Sequence, residues 1–261
     1  MDLLCADSIR DTVRKVRPTW ILHPAAYTAV DKAESDREHC FAANAEATRI
    51  LAEEAKAGGA GLVTFSTDYV FNGEGDRPFR EQDAVAPLNV YGESKRMAEE
   101  YLASSGCAYV NLRTSWVYSA RGHNFLKTIL RLARERESLN VVDDQFGSPS
   151  SASDLADAVV AVMQTAQEDL RRFTGTYHLA GSGYTTWFGF ARELVNCARE
   201  LQPEHTWARL EPVASTAFPT PARRPRNSRL DTTQFLATFG FAMPQWQDSA
   251  RKVVRELLMV N

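Results

Sequence analysis

The segment Tyr91-Gly92-Glu93-Ser94-Lys95 sets a phenol and an ammonium four residues apart, on one face of a helix. A free tyrosine titrates near ~10, so at neutral pH it exchanges protons poorly unless it is assisted. A lysine charge fixed one turn away favours phenolate and is expected to bring the phenol toward working pH. The same ammonium can grip the ribose hydroxyls of a nicotinamide cofactor. Of the eight tyrosines, only Tyr91 has a lysine four residues later. A second group, Ser66-Thr67-Asp68, follows the apolar run 61–65. In a parallel sheet, ligands sit at the carboxyl ends of strands. A hydroxyl there can donate to a substrate carbonyl while the phenol protonates it. Taken alone, these hydroxyls read equally well as caps of a turn. The Tyr91–Lys95 pair further along favours a site.

Arg223, Arg224, Arg226 and Arg229 surround Pro225 within seven residues. Guanidinium forks match phosphate oxygens, and proline stiffens the loop that presents them. A solvated basic loop is the alternative for an isolated run of this kind.

The elements that must position these groups alternate between strand and helix, the pattern of a parallel sheet wrapped by helices. Ile9, Val13 and Val16 share a helical face, and Pro18 ends that segment. Residues 20–23 and 61–66 read as buried strands, separated by a long helix from about 33 to 57 that stops at Gly58-Gly59. Residues 91–102 and 124–136 read as helices and 108–113 as a strand. Beyond about 170 the texture changes to isolated helices, short strands and the arginine loop. The expected division is 1–116 plus about 150–170 for a dinucleotide-binding domain. About 117–149 plus 171–261 would form an interleaved nucleotide-sugar lobe, in which Trp187 reads as an aromatic core anchor.

Hydrophobic residues at 44% and charged residues at 24% are ordinary for a globular protein. A net charge of -3 offers no basic field for nucleic acid or an anionic membrane. Cys5, Cys40, Cys107 and Cys197 form no C-x-x-C pair, and the histidines show no metal signature. Buried free thiols in a reducing cytoplasm are the expectation.

Longer strings carry a family resemblance. AAYTAVDKAES (25–35), STDYVF (66–71), PLNVYGESK (87–95), RTSWVY (113–118), DQFGSP (144–149) and PTPARRPRNSRL (219–230) span nearly the whole chain. The chain resembles the extended short-chain dehydrogenase/reductases and, within them, the dTDP-4-dehydrorhamnose reductases. The resemblance implies an α/β fold: a doubly wound, Rossmann-like parallel-sheet domain with a smaller α+β substrate lobe. It implies reduction of the 4-keto group of dTDP-6-deoxy-L-lyxo-4-hexulose by NADPH or NADH, with magnesium as a further cofactor and a homodimer as the assembly. Tyr91 would be the general acid, Lys95 its partner and ribose ligand, and Thr67 the donor to the carbonyl. Asp68 and Trp116 would touch the sugar, with Tyr69 tuning the phenol. Ala26, Tyr27 and Thr28 would line the dinucleotide, and Asp2 and Leu3 would meet its adenine end. Arg223 and Arg224 would clamp the diphosphate. His23 departs from the asparagine usual in that strand, with a modest effect expected.

A dinucleotide-binding βαβ unit opens with a strand, a glycine-rich turn and a helix whose N-terminus receives the pyrophosphate. The sequence contains no such turn. Set against the order 3-2-1-4-5-6, Met1 falls near the third strand, so the doubly wound domain is expected to be N-terminally truncated and the strand at 20–23 to lack a neighbour. A start assigned too far downstream, a natural fragment, or completion by another polypeptide would each explain this; the intact later motifs favour the first. Two other functions stay open. One is an epimerase or dehydratase of the same superfamily, against which the Thr67-Asp68-Tyr69 order speaks. The other is a catalytically silent regulatory subunit, against which Tyr91 and Lys95 speak.

Overall fold

A computed structural model describes residues 1–259. In chain order, α1 (Ala6–Val16) leads to β1 (Trp20–His23), a short α2 (Val30–Ala33) and α3 (Arg37–Phe41). A π turn, Ala42–Glu46, joins α3 to α4 (Ala47–Gly58), followed by β2 (Gly61–Thr67), α5 (Val90–Ser105) and β3 (Tyr109–Thr114). Then come β4 (Val117–Tyr118), α6 (Phe125–Glu135), β5 (Ser138–Val142), β6 (Phe146–Gly147), β7 (Ser150–Ser151), α7 (Ala152–Thr165) and β8 (Gly175–His178). The chain finishes with β9 (Thr185–Thr186), α8 (Trp187–Leu201), β10 (Arg209–Val213), α9 (Thr233–Phe239) and α10 (Trp246–Met259).

The main sheet is parallel, in the order β1-β2-β3-β8. Helices cover both of its faces, so β2 and β3 are buried along almost their whole length. Successive residues point to opposite sides. Leu62 therefore packs with Ile21, Ile50 and Leu51 under α1 and α4, whereas Val63 packs with Leu112, Leu155 and Phe235 under α7 and α9. A separate core of Leu126, Ile129, Phe190, Leu194, Trp246 and Val254 holds α6, α8 and α10 around the parallel pair β5–β10. This apolar centre is distinct from those that cover the main sheet.

Four expectations change. No strand forms near Met1: Asp2 Oδ1 accepts from Leu4 N at 2.9 Å and Asp2 O from Cys5 N at 3.3 Å, which turns the chain into α1. Val16 is exposed because α1 ends there, with Arg17 in the left-handed region at φ 49°. The long helix is three pieces, with a turn at 34–36 and the π turn inside it. β8 is hydrogen-bonded to β3, so the sheet takes in residues beyond 171. Within the described residues β1 pairs only with β2, and Leu22 is half exposed. Cys40, Cys107 and Cys197 are buried free thiols; Cys5 is exposed. No helix among the described residues is long and apolar enough to cross a membrane.

Candidate active site

Helix α5 starts where its first turn can be capped. Asn89 Oδ1 accepts from Gly92 N at 2.8 Å, satisfying an otherwise unpaired helical donor. Gly92 is required by contact: a Cβ there would lie 2.3 Å from the Tyr69 carbonyl oxygen. This close approach seats the helix on the turn after β2 and sets the Tyr91 and Tyr69 rings edge to face, 6.0 Å apart. In that turn Thr67 Oγ1 donates to Asp68 Oδ1 at 3.1 Å and accepts from Tyr69 N at 3.2 Å. Thr67, Asp68, Tyr91 and Lys95, nominated from the sequence, gather at the carboxyl end of the sheet.

Burial dominates the electrostatics. The Lys95 ammonium is drawn down to about 8 by desolvation, with Glu99 and then Cys40 opposing. The Asp68 carboxyl is pushed up to about 7 by desolvation, with the nearby Ser228 and Thr67 hydroxyls opposing. The Tyr91 phenol rises above its ordinary value, first by burial and next by the Asp68 charge. Tyr69 rises for the same two reasons. The expectation that Lys95 would bring the phenol down toward neutrality is therefore overturned for the ligand-free site: desolvation of the phenolate wins, and Tyr91 holds its proton. A phenol that stays protonated is suited to giving a proton rather than taking one.

Five buried polar side-chain atoms lack partners among the described residues. Four of them, His23 Nε2, Ser66 Oγ, Asp68 Oδ2 and Thr114 Oγ1, lie at or just beyond the ends of β1, β2 and β3. Unpaired buried polar atoms are costly, and their convergence on one end of a sheet marks a place where a ligand supplies the missing partners. Beside them lies an apolar cavity of about 590 Å³ whose rim includes Ala26, Thr28, Tyr91 and Lys95. Its apolar wall and hydroxyl-bearing rim suit the nicotinamide half of a dinucleotide. Tyr27 does not line it. Its backbone N and O are both held by the Asn44 amide, at 2.8 and 3.1 Å, and its hydroxyl donates to Asp36 at 3.1 Å. Asp2 and Leu3 are not brought to the cavity either; Leu3 packs with the α1–α4 cluster.

The arginine loop folds over the same end. Arg224 makes a two-pronged pair with Asp31 at 3.1 and 2.7 Å, so its fork is already engaged, while Arg223 is exposed. The Asn89 amide that caps α5 also donates to Arg223 O at 2.8 Å, tying the loop to the start of that helix. Just past β3, Trp116 takes a left-handed backbone (φ 50°), a conformation non-glycine residues hold only where their surroundings impose it. Its ring stacks on Trp187 with centroids 3.6 Å apart. Trp187 therefore does more than anchor a core. With Phe125, Asn140, Gln145 and Arg224 it lines a second cavity of about 360 Å³. Among the described residues no group of three or more His, Cys, Asp or Glu side chains could hold a metal ion.

Sequence reading missed Asp31, Asn44, Asn89 and the site-facing role of Trp187. Only Asn89 carried a local signal, as an N-cap before a helical run. The others act across long sequence separations that no local pattern announces.

A parallel sheet covered on both faces, with a Tyr-x-x-x-Lys helix aimed at its carboxyl end, defines a short-chain dehydrogenase/reductase-type enzyme. The match to the RmlD substrate-binding-domain family runs over residues 1–259, and the chain belongs to that family. It is 45% identical over 253 residues to the dTDP-4-dehydrorhamnose reductase of Escherichia coli (strain K12), covering 96% of this chain and 84% of that protein. A dTDP-4-dehydrorhamnose reductase from Bacillus anthracis str. Ames, solved in complex with NADP, superposes with a TM-score of 0.89 at 35% identity. The match covers 98% of this chain and 87% of that one. The Clostridium acetobutylicum reductase superposes with a TM-score of 0.90 at 32% identity, again covering 98% and 87%.

Proposed function

We infer that this chain reduces the 4-keto group of dTDP-6-deoxy-L-lyxo-4-hexulose to give dTDP-L-rhamnose. The observation that carries this is the meeting of the Tyr91 phenol, the buried Lys95 and the Thr67–Asp68 turn beside unpaired polar atoms at the strand ends. NADPH or NADH, when bound, supplies the hydride. Ala26, Thr28 and Lys95 would hold its nicotinamide half. Thr67 donates a hydrogen bond to the ketone oxygen, polarising it. Tyr91 gives its proton to the oxygen as negative charge develops there, and the Lys95 ammonium steadies the phenolate that remains.

Asp68 and Trp116 fit contacts to the sugar, with Tyr69 behind the phenol. The cavity beside Trp187 suits a planar base flanked by the Asn140 and Gln145 amides. Arg223, exposed and tied by its carbonyl to Asn89, is better placed than Arg224 to clamp a diphosphate, because Asp31 occupies the Arg224 fork.

The test is to mix the purified chain with NADPH and the 4-keto sugar nucleotide and follow the reduced nicotinamide absorbance. Stoichiometric loss of that band with formation of dTDP-L-rhamnose is expected. A bound dinucleotide that is neither consumed nor released would favour an epimerase or dehydratase, and nucleotide-sugar binding without turnover would favour a silent subunit.

A further inference from the structure

Helix α2 begins just after Ala26 and Thr28, which rim the apolar cavity, and the proposed reaction leaves its acidic side chains without a role. They reach other parts of the site. Asp31 accepts from the Ala222 backbone N at 3.2 Å and from the Arg224 fork at 3.1 and 2.7 Å. Glu34, which caps α2 three residues on, accepts from Val90 N at 2.9 Å, at the start of α5. One short turn is thus fastened both to the arginine loop and to the helix that carries Tyr91.

The contacts to the loop form a bracket. Ala222 and Arg224 stand on either side of Arg223, and Asp31 holds both. The Arg223 carbonyl is held by the Asn89 amide at 2.8 Å. Beyond Arg224 the buried Pro225 packs on Gly73, where a Cβ would lie 2.4 Å from the Pro225 Cβ. The backbone around Arg223 is therefore pinned on each side, while its side chain is exposed at a cavity of about 490 Å³ that Arg226 and Arg229 also line. Arg224 borders both this cavity and the one beside Trp187.

The Asp31 side chain is 41% exposed and that of Arg224 25%, so solvent screens their attraction and the pair adds little stability. What it supplies is direction: a two-pronged pair joined by a backbone donor fixes the loop in one orientation. A loop already held in its binding geometry loses less conformational freedom when an anion arrives.

We propose that Asp31 is a positioning residue for the diphosphate clamp: by bracketing Arg223 it holds the loop so that the Arg223 fork meets the diphosphate of the substrate. This role rests on the proposed function, in which Arg223 binds that group. Asp31 acts through the loop and does not touch the substrate.

The experiment is a double-mutant cycle in the full chain, read by calorimetric titration with dTDP and, separately, with NADPH. In Asp31→Ala the dissociation constant for dTDP is expected to rise about tenfold, with that for NADPH within about twofold of the parent. In the Arg223→Ala background the same substitution should add almost nothing, because the group it positions is gone. Asp31→Asn, which keeps an oxygen for Ala222 N, should give a smaller rise and takes the place of the alanine variant if that one does not fold. A merely structural role would weaken dTDP equally in both backgrounds and weaken NADPH with it; that result overturns the proposal. Unchanged dTDP affinity overturns it too, and so does tighter binding, which would mean that Asp31 only competes for the Arg224 fork. If the parent chain binds no dTDP, the proposed function fails first and the role of Asp31 falls with it.

Discussion

In the proposed reaction Tyr91 gives the proton, and Asp68 tunes how readily it does so. Tyr91→Phe removes the donor and keeps the ring in its edge-to-face contact with Tyr69. Turnover is expected to fall by at least ~10²-fold with the melting temperature almost unchanged, measured by steady-state kinetics and thermal unfolding. The Asp68 carboxyl, lifted to about 7 by burial, is neutral below that pH and anionic above it. Its anion raises the phenol further and makes it a weaker acid. Turnover should therefore decline as pH rises through about 7. In Asp68→Asn the side chain stays neutral, so the decline should move up to about 8, where Lys95 loses its proton. A pH–rate profile that is the same in both proteins would remove Asp68 from control of the phenol.

Helix α5 owes its placement to a small set of contacts at its first turn. Asn89 caps it and also holds the arginine loop, and Gly92 lets it sit against the Tyr69 carbonyl. In Gly92→Ala the new methyl would meet backbone 2.3 Å away, which no side-chain rotation relieves. The helix start must then move off the turn that carries Thr67 and Asp68. Helix propensity favours alanine by about 1 kcal/mol, so the helix itself gains while its docking is lost. Turnover should drop by an order of magnitude or more, a loss of near-attack geometry. Far-ultraviolet circular dichroism should stay at the parent level; a variant with parental kinetics would show that this contact does not set the site.

At the scale of the whole molecule, two buried histidines tie stability to pH. Burial, and then Lys95, lowers His23 to about 4; burial, and then Arg113, lowers His178 to about 3. Each folded-state value lies below the ordinary 6.5, so between those values the unfolded chain binds more protons. The stability from neutral burial is complete above about 6.5 and is lost as pH falls toward 4 and 3. Asp68 and Glu81, raised by burial, act in the opposite direction at the acid end. A comparison with His178→Asn isolates the imidazole: the melting-temperature gap between parent and variant should narrow from pH 7 to pH 4. A gap independent of pH would mean that His178 is not held neutral.

The alternation of strands and helices, and the core of the sheet, were legible because periodicity and continuous apolar runs are local properties of the chain. So was the Tyr91–Lys95 pair, since a helix turns four residues of spacing into one face. The resemblance carried by the longer strings supplied the family and, with it, the chemistry expected at Thr67, Asp68 and Trp116. Tertiary structure alone decided that Asn44 holds the Tyr27 peptide, that Asp31 engages the Arg224 fork, and that Trp116 stacks on Trp187. Each of these joins residues far apart in the chain, whose meeting depends on how whole elements pack. The direction in which the site shifts the Tyr91 phenol was beyond the sequence for the same reason. A neighbouring lysine is visible in the spacing, whereas the cost of burying a phenolate beside Asp68 exists only once the site has closed around it.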